Sequence, residues 1–199
     1  MTSTRSPGRP VALAVFLVVA GAIGFTAAFA LTLEKFVLLA DPQAALGCDF
    51  SLLVQCGRNL TSAQGEVFGF PNPLIGIAGF AAVIVVGMAV LAGGRFAAWF
   101  WVLFNIGLAG ALAFVVWLVT QSIFVLGTLC PWCMVVWSVT IPLFLAVTLY
   151  NASAGNLRLP RGPRRVLASA YGWVPLISVA CYLAIAVVAQ LRLDVISYL

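Results

Sequence analysis

Residues 126–150 read LGTLCPWCMVVWSVTIPLFLAVTLY. Two cysteines bracket a Pro-Trp pair, and the chain then runs into an apolar stretch of about the ~20 residues that a helix needs to cross a ~30 Å hydrocarbon core. A Cys-x-x-Cys motif at the mouth of a membrane span sets both the fold class and the chemistry to be explained. Four more apolar runs of this kind fall at residues 11–33, 73–92, 96–120 and 171–190, with 130–150 as the fourth of five. Composition agrees, because the 199 residues are 64% hydrophobic and only 8% charged. A water-soluble domain of this size needs far more polar surface. The sequence therefore predicts an all-α integral membrane protein with five spans and no room for a separate soluble domain. Arg5 and Arg9 precede the first run in the manner of a signal peptide. That run is too long for a signal h-region, and no small-residue cleavage site follows it before Glu34, so it is read as a retained span.

Charge orients the spans. Arg5, Arg9, Arg95, Arg158, Arg161, Arg164 and Arg165 all fall on one side of an odd-numbered bundle. Glu34, Asp41, Asp49, Glu66 and Asp194 fall on the other, with only Lys35, Arg58 and Arg192 as basic company. An excess of arginine marks the cytoplasmic side, so the N-terminus is expected in the cytoplasm and the C-terminus outside. The net charge of +5 follows from this asymmetry and is no sign of nucleic acid. The basic connection over 151–170 is a topology signal that can also touch anionic lipid.

This topology places four of the five cysteines in an oxidising compartment. Cys48 and Cys56 lie in the long loop over 34–72, and Cys130 and Cys133 open the fourth span on the same side. Positions i and i+3 share a helix face, so the last two sulfurs are close enough to bridge. Cys130 at the first turn meets unpaired N–H groups and the positive helix end, which favour a thiolate, and Pro131 fits there because its missing N–H costs nothing. A passive surface disulfide is the bland alternative. For Cys48 and Cys56 the bland reading is a structural staple. Beside a second pair, a mobile loop disulfide can instead carry thiol exchange inward, with Gly47 and Gly57 allowing the motion. Zinc or an iron–sulfur cluster is disfavoured, because one pair is spaced too widely for a knuckle and the chain has no histidine. The apolar runs carry no charge in their middles, which disfavours a pump or transporter. Cys181, alone in the fifth span, reads as a buried apolar residue.

A thiol–quinone reaction needs a thiolate, an apolar slot and hydrogen bonds to carbonyl oxygens. Asn72 in FGFPNPLIG (68–76) could donate one, or it could cap the second span ahead of Pro73. Trp137, four residues after Cys133, has an indole N–H on the same face, or it is ordinary bundle packing. Ser62 could stabilise a loop thiolate, a weak signal in a loop.

Together, CDFSLLVQCGRNLTS (48–62), FGFPNPLIG and CPWC resemble, in order and in topological place, the bacterial members of the vitamin K epoxide reductase family. The resemblance covers roughly residues 15–150. It implies a four-helix transmembrane bundle core within 1–150, with the fifth helix and a short tail over 171–199 added to it. It also implies a membrane thiol–quinone oxidoreductase that supports disulfide-bond formation, equivalent to DsbB. By position, Cys48 would exchange with a separate DsbA-like, thioredoxin-fold protein. Cys56 would attack a disulfide between Cys130 and Cys133 at Cys130. Cys133 would reduce a membrane quinone, menaquinone or ubiquinone, with no metal involved. Asn72 matches the family's quinone-binding residue and Ser62 its loop serine. Trp137 stands where vertebrate members carry tyrosine. A short amphipathic helix over 61–70, with Leu60, Val67, Phe68 and Phe70 on its apolar face, would lid the site. The implied location is a bacterial inner membrane with the redox cysteines extracytoplasmic. The competing reading is a cysteine-rich membrane protein, structural or metal-binding, whose disulfides are not catalytic.

Overall fold

A computed structural model describes residues 10–157 and 160–198. Arg5, Arg9 and Arg158, which entered the charge argument, lie outside them, as do the side chains of Arg161, Arg164 and Arg165. In chain order the helices are α1 (Val11–Ala40), α2 (Gly57–Thr61), α3 (Pro73–Leu91), α4 (Ala98–Thr120), α5 (Pro131–Ala154), α6 (Arg161–Ala170) and α7 (Val174–Leu193). A 3-10 turn (Ala63–Glu66) follows α2, and α4 continues as a π-helical turn (Gln121–Leu126). Among the described residues five helices are long and apolar enough to cross a membrane, and no strand forms. The protein is an all-α, multi-pass membrane protein.

In α1, α3, α4 and α5 the apolar residues run all the way round, as they must when one face meets lipid and the other a neighbouring helix. The helices therefore associate by close packing rather than by hydrophobic contrast. A Cβ at Gly24 would lie 2.3 Å from the Phe80 ring, and one at Gly87 would lie 2.9 Å from the Ala14 carbonyl. These two glycines let α1 and α3 approach closely around Leu13, Leu17, Val83, Val86, Leu143 and Val147. α1 also packs on α5, and α5 packs on α4. Where α4 meets α5, the buried Asn151 donates to the Trp101 carbonyl (2.9 Å) and accepts from Asn156 (2.9 Å).

α5 contains Pro142, which has no N–H to give the Ser138 carbonyl one turn earlier. The Tyr182 hydroxyl of α7 donates to that carbonyl instead. Helix α7 thus docks on the core through a bond that the proline made available.

Three features differ from the sequence expectation. α1 runs to Ala40 rather than 33, about 45 Å at 1.5 Å per residue, so its last turns, with Glu34 and Lys35, are helical rather than loop. The loop segment over 61–70 is not one amphipathic helix. It is α2, then the 3-10 turn begun by the Ser62 cap, then a turn through Gly69 at φ 80°. Leu60 is buried, while Val67, Phe68 and Phe70 are exposed. Ser62 in extended backbone and two glycines in ten residues interrupt the helix before an apolar face can develop. Cys181 is half-buried rather than buried.

Candidate functional site

Cys130 is the N-cap of α5, with Pro131 in the first turn, and its Sγ accepts from the Cys133 N–H at 3.3 Å. Cys56 stands just ahead of α2 and is disulfide-bonded to Cys48, with Cα atoms 5.8 Å apart. Cys130 Sγ lies 3.5 Å from Cys56 Sγ. Cys130 and Cys133 are free thiols. The two pairs therefore meet sulfur to sulfur, and a Cys130 thiolate attacking Cys56 would expel Cys48. The contact is dry, since Cys48 is 2% exposed and Cys56 and Cys130 are 0%. Leu31, Leu38, Leu46 and Leu60 surround it.

Several bonds hold the loop in this register. Gln55 N–H donates to the Leu129 carbonyl (3.0 Å) and Leu129 N–H to the Leu53 carbonyl (2.8 Å), a one-residue bridge beside Cys130. Asn59 of α2 donates to Thr128 Oγ1 (3.0 Å), and the Ser122 hydroxyl reaches both Asn59 Oδ1 (3.2 Å) and the Thr128 carbonyl (2.5 Å). The Asp49 carboxylate accepts from the N–H groups of Cys56 (2.7 Å) and Gly57 (3.2 Å), which fixes the loop between the two cysteines.

Below the sulfurs opens a cavity of about 550 Å³, lined by Cys133, Asn72, Trp137 and Ser62 together with apolar residues of α1, α3, α4 and α5. That volume lies within the usual range for a small-molecule site. Segment 57–72 roofs it. The buried Lys35 of α1 donates to the Leu60 carbonyl (2.8 Å) and pairs with Glu66 (2.8 Å). Asn72 does not cap α3 with its side chain. Its Nδ2 donates to the Gln64 carbonyl (2.6 Å) and its Oδ1 accepts from Val67 N–H (3.2 Å), so the amide straps the roof to the start of α3. Ser62 is likewise engaged within the roof, donating to the Asn59 carbonyl (2.8 Å) and accepting from Gly65 N–H (3.2 Å). The indole of Trp137 packs with Val119, Ile123 and Ala189 of α7, and its N–H meets no acceptor among the described residues.

The structure thus gathers all seven sequence-nominated residues. Cys48, Cys56 and Cys130 form the buried sulfur cluster, and Cys133, Asn72, Trp137 and Ser62 line the cavity beneath it. Lys35, Asn59, Ser122 and Thr128 were not nominated. Lys35 alone carried a signal: a lone lysine at the end of an apolar run is costly unless paired. The three small polar residues look like any loop residues until the fold brings them together.

Fold and site together define a membrane-embedded protein built for thiol–disulfide chemistry beside an apolar cavity. The model of the vitamin K epoxide reductase family matches residues 15–148, and the chain belongs to that family. The match spans α1 to α5 and leaves α6 and α7 outside. No curated protein matches the chain closely enough to serve as a relative.

Proposed function

We propose that the protein oxidises an extracytoplasmic dithiol protein of the thioredoxin fold, DsbA-like, and passes the electrons to a membrane quinone. The observation that carries this reading is the continuity from Cys48 and Cys56 through the 3.5 Å contact with Cys130 to Cys133 in the cavity wall.

The steps balance as follows. A donor thiolate attacks Cys48, releasing Cys56, and the donor's second thiol frees Cys48 and leaves the donor oxidised. Cys56 then attacks Cys130 of a disulfide between Cys130 and Cys133, releasing Cys133. Cys48 attacks Cys56, re-forms the loop disulfide and frees Cys130. The pairing described above, with the loop oxidised and the α5 pair reduced, is the product of this transfer. A quinone accepts two electrons and two protons and becomes a quinol. Cys133, facing the cavity, delivers the electrons, and the disulfide with Cys130 re-forms. Asn72 and Trp137 would hold the ring, because each retains an N–H that no acceptor among the described residues takes. With the loop oxidised, Cys48 is shielded, so a donor must lift residues 49–55 away from the Asp49 bonds. The charge asymmetry of the connections supports a bacterial inner-membrane location with these cysteines outside.

The test is quinone reduction by the purified protein, driven either by a reduced DsbA-like donor or by dithiothreitol. Cys133→Ser should abolish turnover with both donors, and Cys48→Ala only with the protein donor. A wild-type protein inert towards quinone with both donors would sink the reading.

A further inference from the structure

Reduction of a para-quinone places charge on two oxygens at opposite edges of the ring, so a site built for it needs donors to both. The polar groups lining the cavity can be tallied by the hydrogens they still have to give. Asn59 spends its amide on Thr128 and the Gln55 carbonyl. The hydroxyls of Ser62, Ser122 and Thr140 donate to the carbonyls of Asn59, Thr128 and Val136. Asn72 has one N–H left after bonding Gln64, and Trp137 has its indole N–H. Two further side chains line the cavity with donors unspent: Gln64, which keeps one N–H after bonding Gln121, and Gln121, which keeps both. Gln121 accepts from Gln64 Nε2 at 3.5 Å through Oε1, while its own NH2 meets no acceptor among the described residues.

Gln121 also stands at a distinctive place in the backbone. It is the first residue of the π-helical turn (Gln121–Leu126), and wider turns of this kind gather at functional sites because they re-aim side chains. A link runs from Asn72 Nδ2 to the Gln64 carbonyl and from Gln64 Nε2 to Gln121 Oε1. It joins the start of α3 to the end of α4 across the top of the cavity. By fixing Oε1, Gln64 leaves the Gln121 NH2 as the free edge of that amide.

We propose that Gln121 is a substrate-binding residue that donates a hydrogen bond from Nε2 to a quinone carbonyl, with Gln64 as the positioning residue that orients its amide. This rests on the quinone reading above and extends it to a residue that the three family-resembling motifs do not include.

The experiment uses the full chain in lipid nanodiscs with menadione as the quinone and dithiothreitol as donor. Gln121→Leu should raise KM for menadione about tenfold, the scale of one hydrogen bond lost to an uncharged acceptor, with a smaller change in kcat. Gln64→Ala should raise KM less, since the donor remains but is no longer held. In a Cys133→Ser background the quinone stays oxidised when bound, and its carbonyl stretch can be read by isotope-edited infrared difference. Adding Gln121→Leu should move one carbonyl band to higher frequency. If the wild type reduces menadione but Gln121→Leu changes neither KM nor the band, Gln121 is no ligand and the proposal fails while the quinone reading stands. It fails as well if Gln64→Ala matches Gln121→Leu in KM and the band does not move, because Gln121 then acts only on the roof. A wild type that reduces no menadione removes both readings.

Discussion

The sulfur of Cys130 lies 3.5 Å from that of Cys56, and the bond from Cys56 to Cys48 is the one that attack would break. The helix N-cap holds Cys130 there while the loop brings Cys56 to it, so the exchange partner is chosen by packing rather than by diffusion. A mixed disulfide should therefore form specifically between these two. In a Cys48→Ala, Cys133→Ala variant neither resolving sulfur remains, and mild oxidation should give a bond between Cys56 and Cys130 in most molecules. Peptide mapping by mass spectrometry reads it directly. Scrambled pairs including Cys181, or no cross-link at all, would contradict the contact.

Lys35 should matter to the roof more than an ordinary surface ion pair. Its amine is buried, whereas Glu66 is 41% exposed, so solvent screens the pair and the ionic part is worth on the order of 1 kcal/mol. The bond to the Leu60 carbonyl adds to it. Glu66→Gln leaves a buried cation with less compensation, and Lys35→Met removes the cation altogether. Hydrogen exchange over residues 57–70 should rise in both variants and more in Glu66→Gln. Equal protection to wild type in both would show that Lys35 does not hold the roof.

How much of this was legible follows from what each signal depends on. The spans could be read because long apolar runs are a property of the chain alone, and the motif cysteines because their spacing is local. The last turns of α1 could not, since Glu34 and Lys35 look like the start of a loop. Lys35 is tolerated in the helix because Glu66 and the Leu60 carbonyl, 31 and 25 positions away, answer its charge. Asn72 was legible as a residue of interest, but its bonds to the roof depend on where Gln64 and Val67 fold. The π-helical turn left no trace, because QSIFVL has the composition of any span end.

The node of Asn59, Ser122 and Thr128 should set the rate of internal transfer. Asn59→Leu takes the amide donor away from the buried Thr128 hydroxyl, at about 1–3 kcal/mol for a polar group left without its partner, while the Ser122 hydroxyl keeps only the Thr128 carbonyl. Loosened docking should slow turnover with a protein donor, which must pass through Cys56. Turnover with dithiothreitol should fall less, because a small thiol can reach the α5 pair through the roof. Stopped-flow comparison of the two donors provides the measurement, and an equal fall with both would assign Asn59 to general stability alone.

The bond from Tyr182 to the Ser138 carbonyl should be conditional on Pro142. With proline at 142 the carbonyl has no helical partner, so Tyr182→Phe orphans it and weakens the docking of α7. Hydrogen bonds between membrane helices average about 0.6 kcal/mol and reach about 1.7, and a loss of that size is expected in thermal unfolding. Pro142→Ala restores an N–H to the same carbonyl, so adding Tyr182→Phe to it should cost little. The double-mutant cycle should show coupling of at least about 0.5 kcal/mol. Because Ala189 on the same helix packs with Trp137, a loosened α7 should also raise KM for quinone in Tyr182→Phe and not in the double variant. Additive effects, or a KM that ignores Tyr182, would separate the fifth helix from the site.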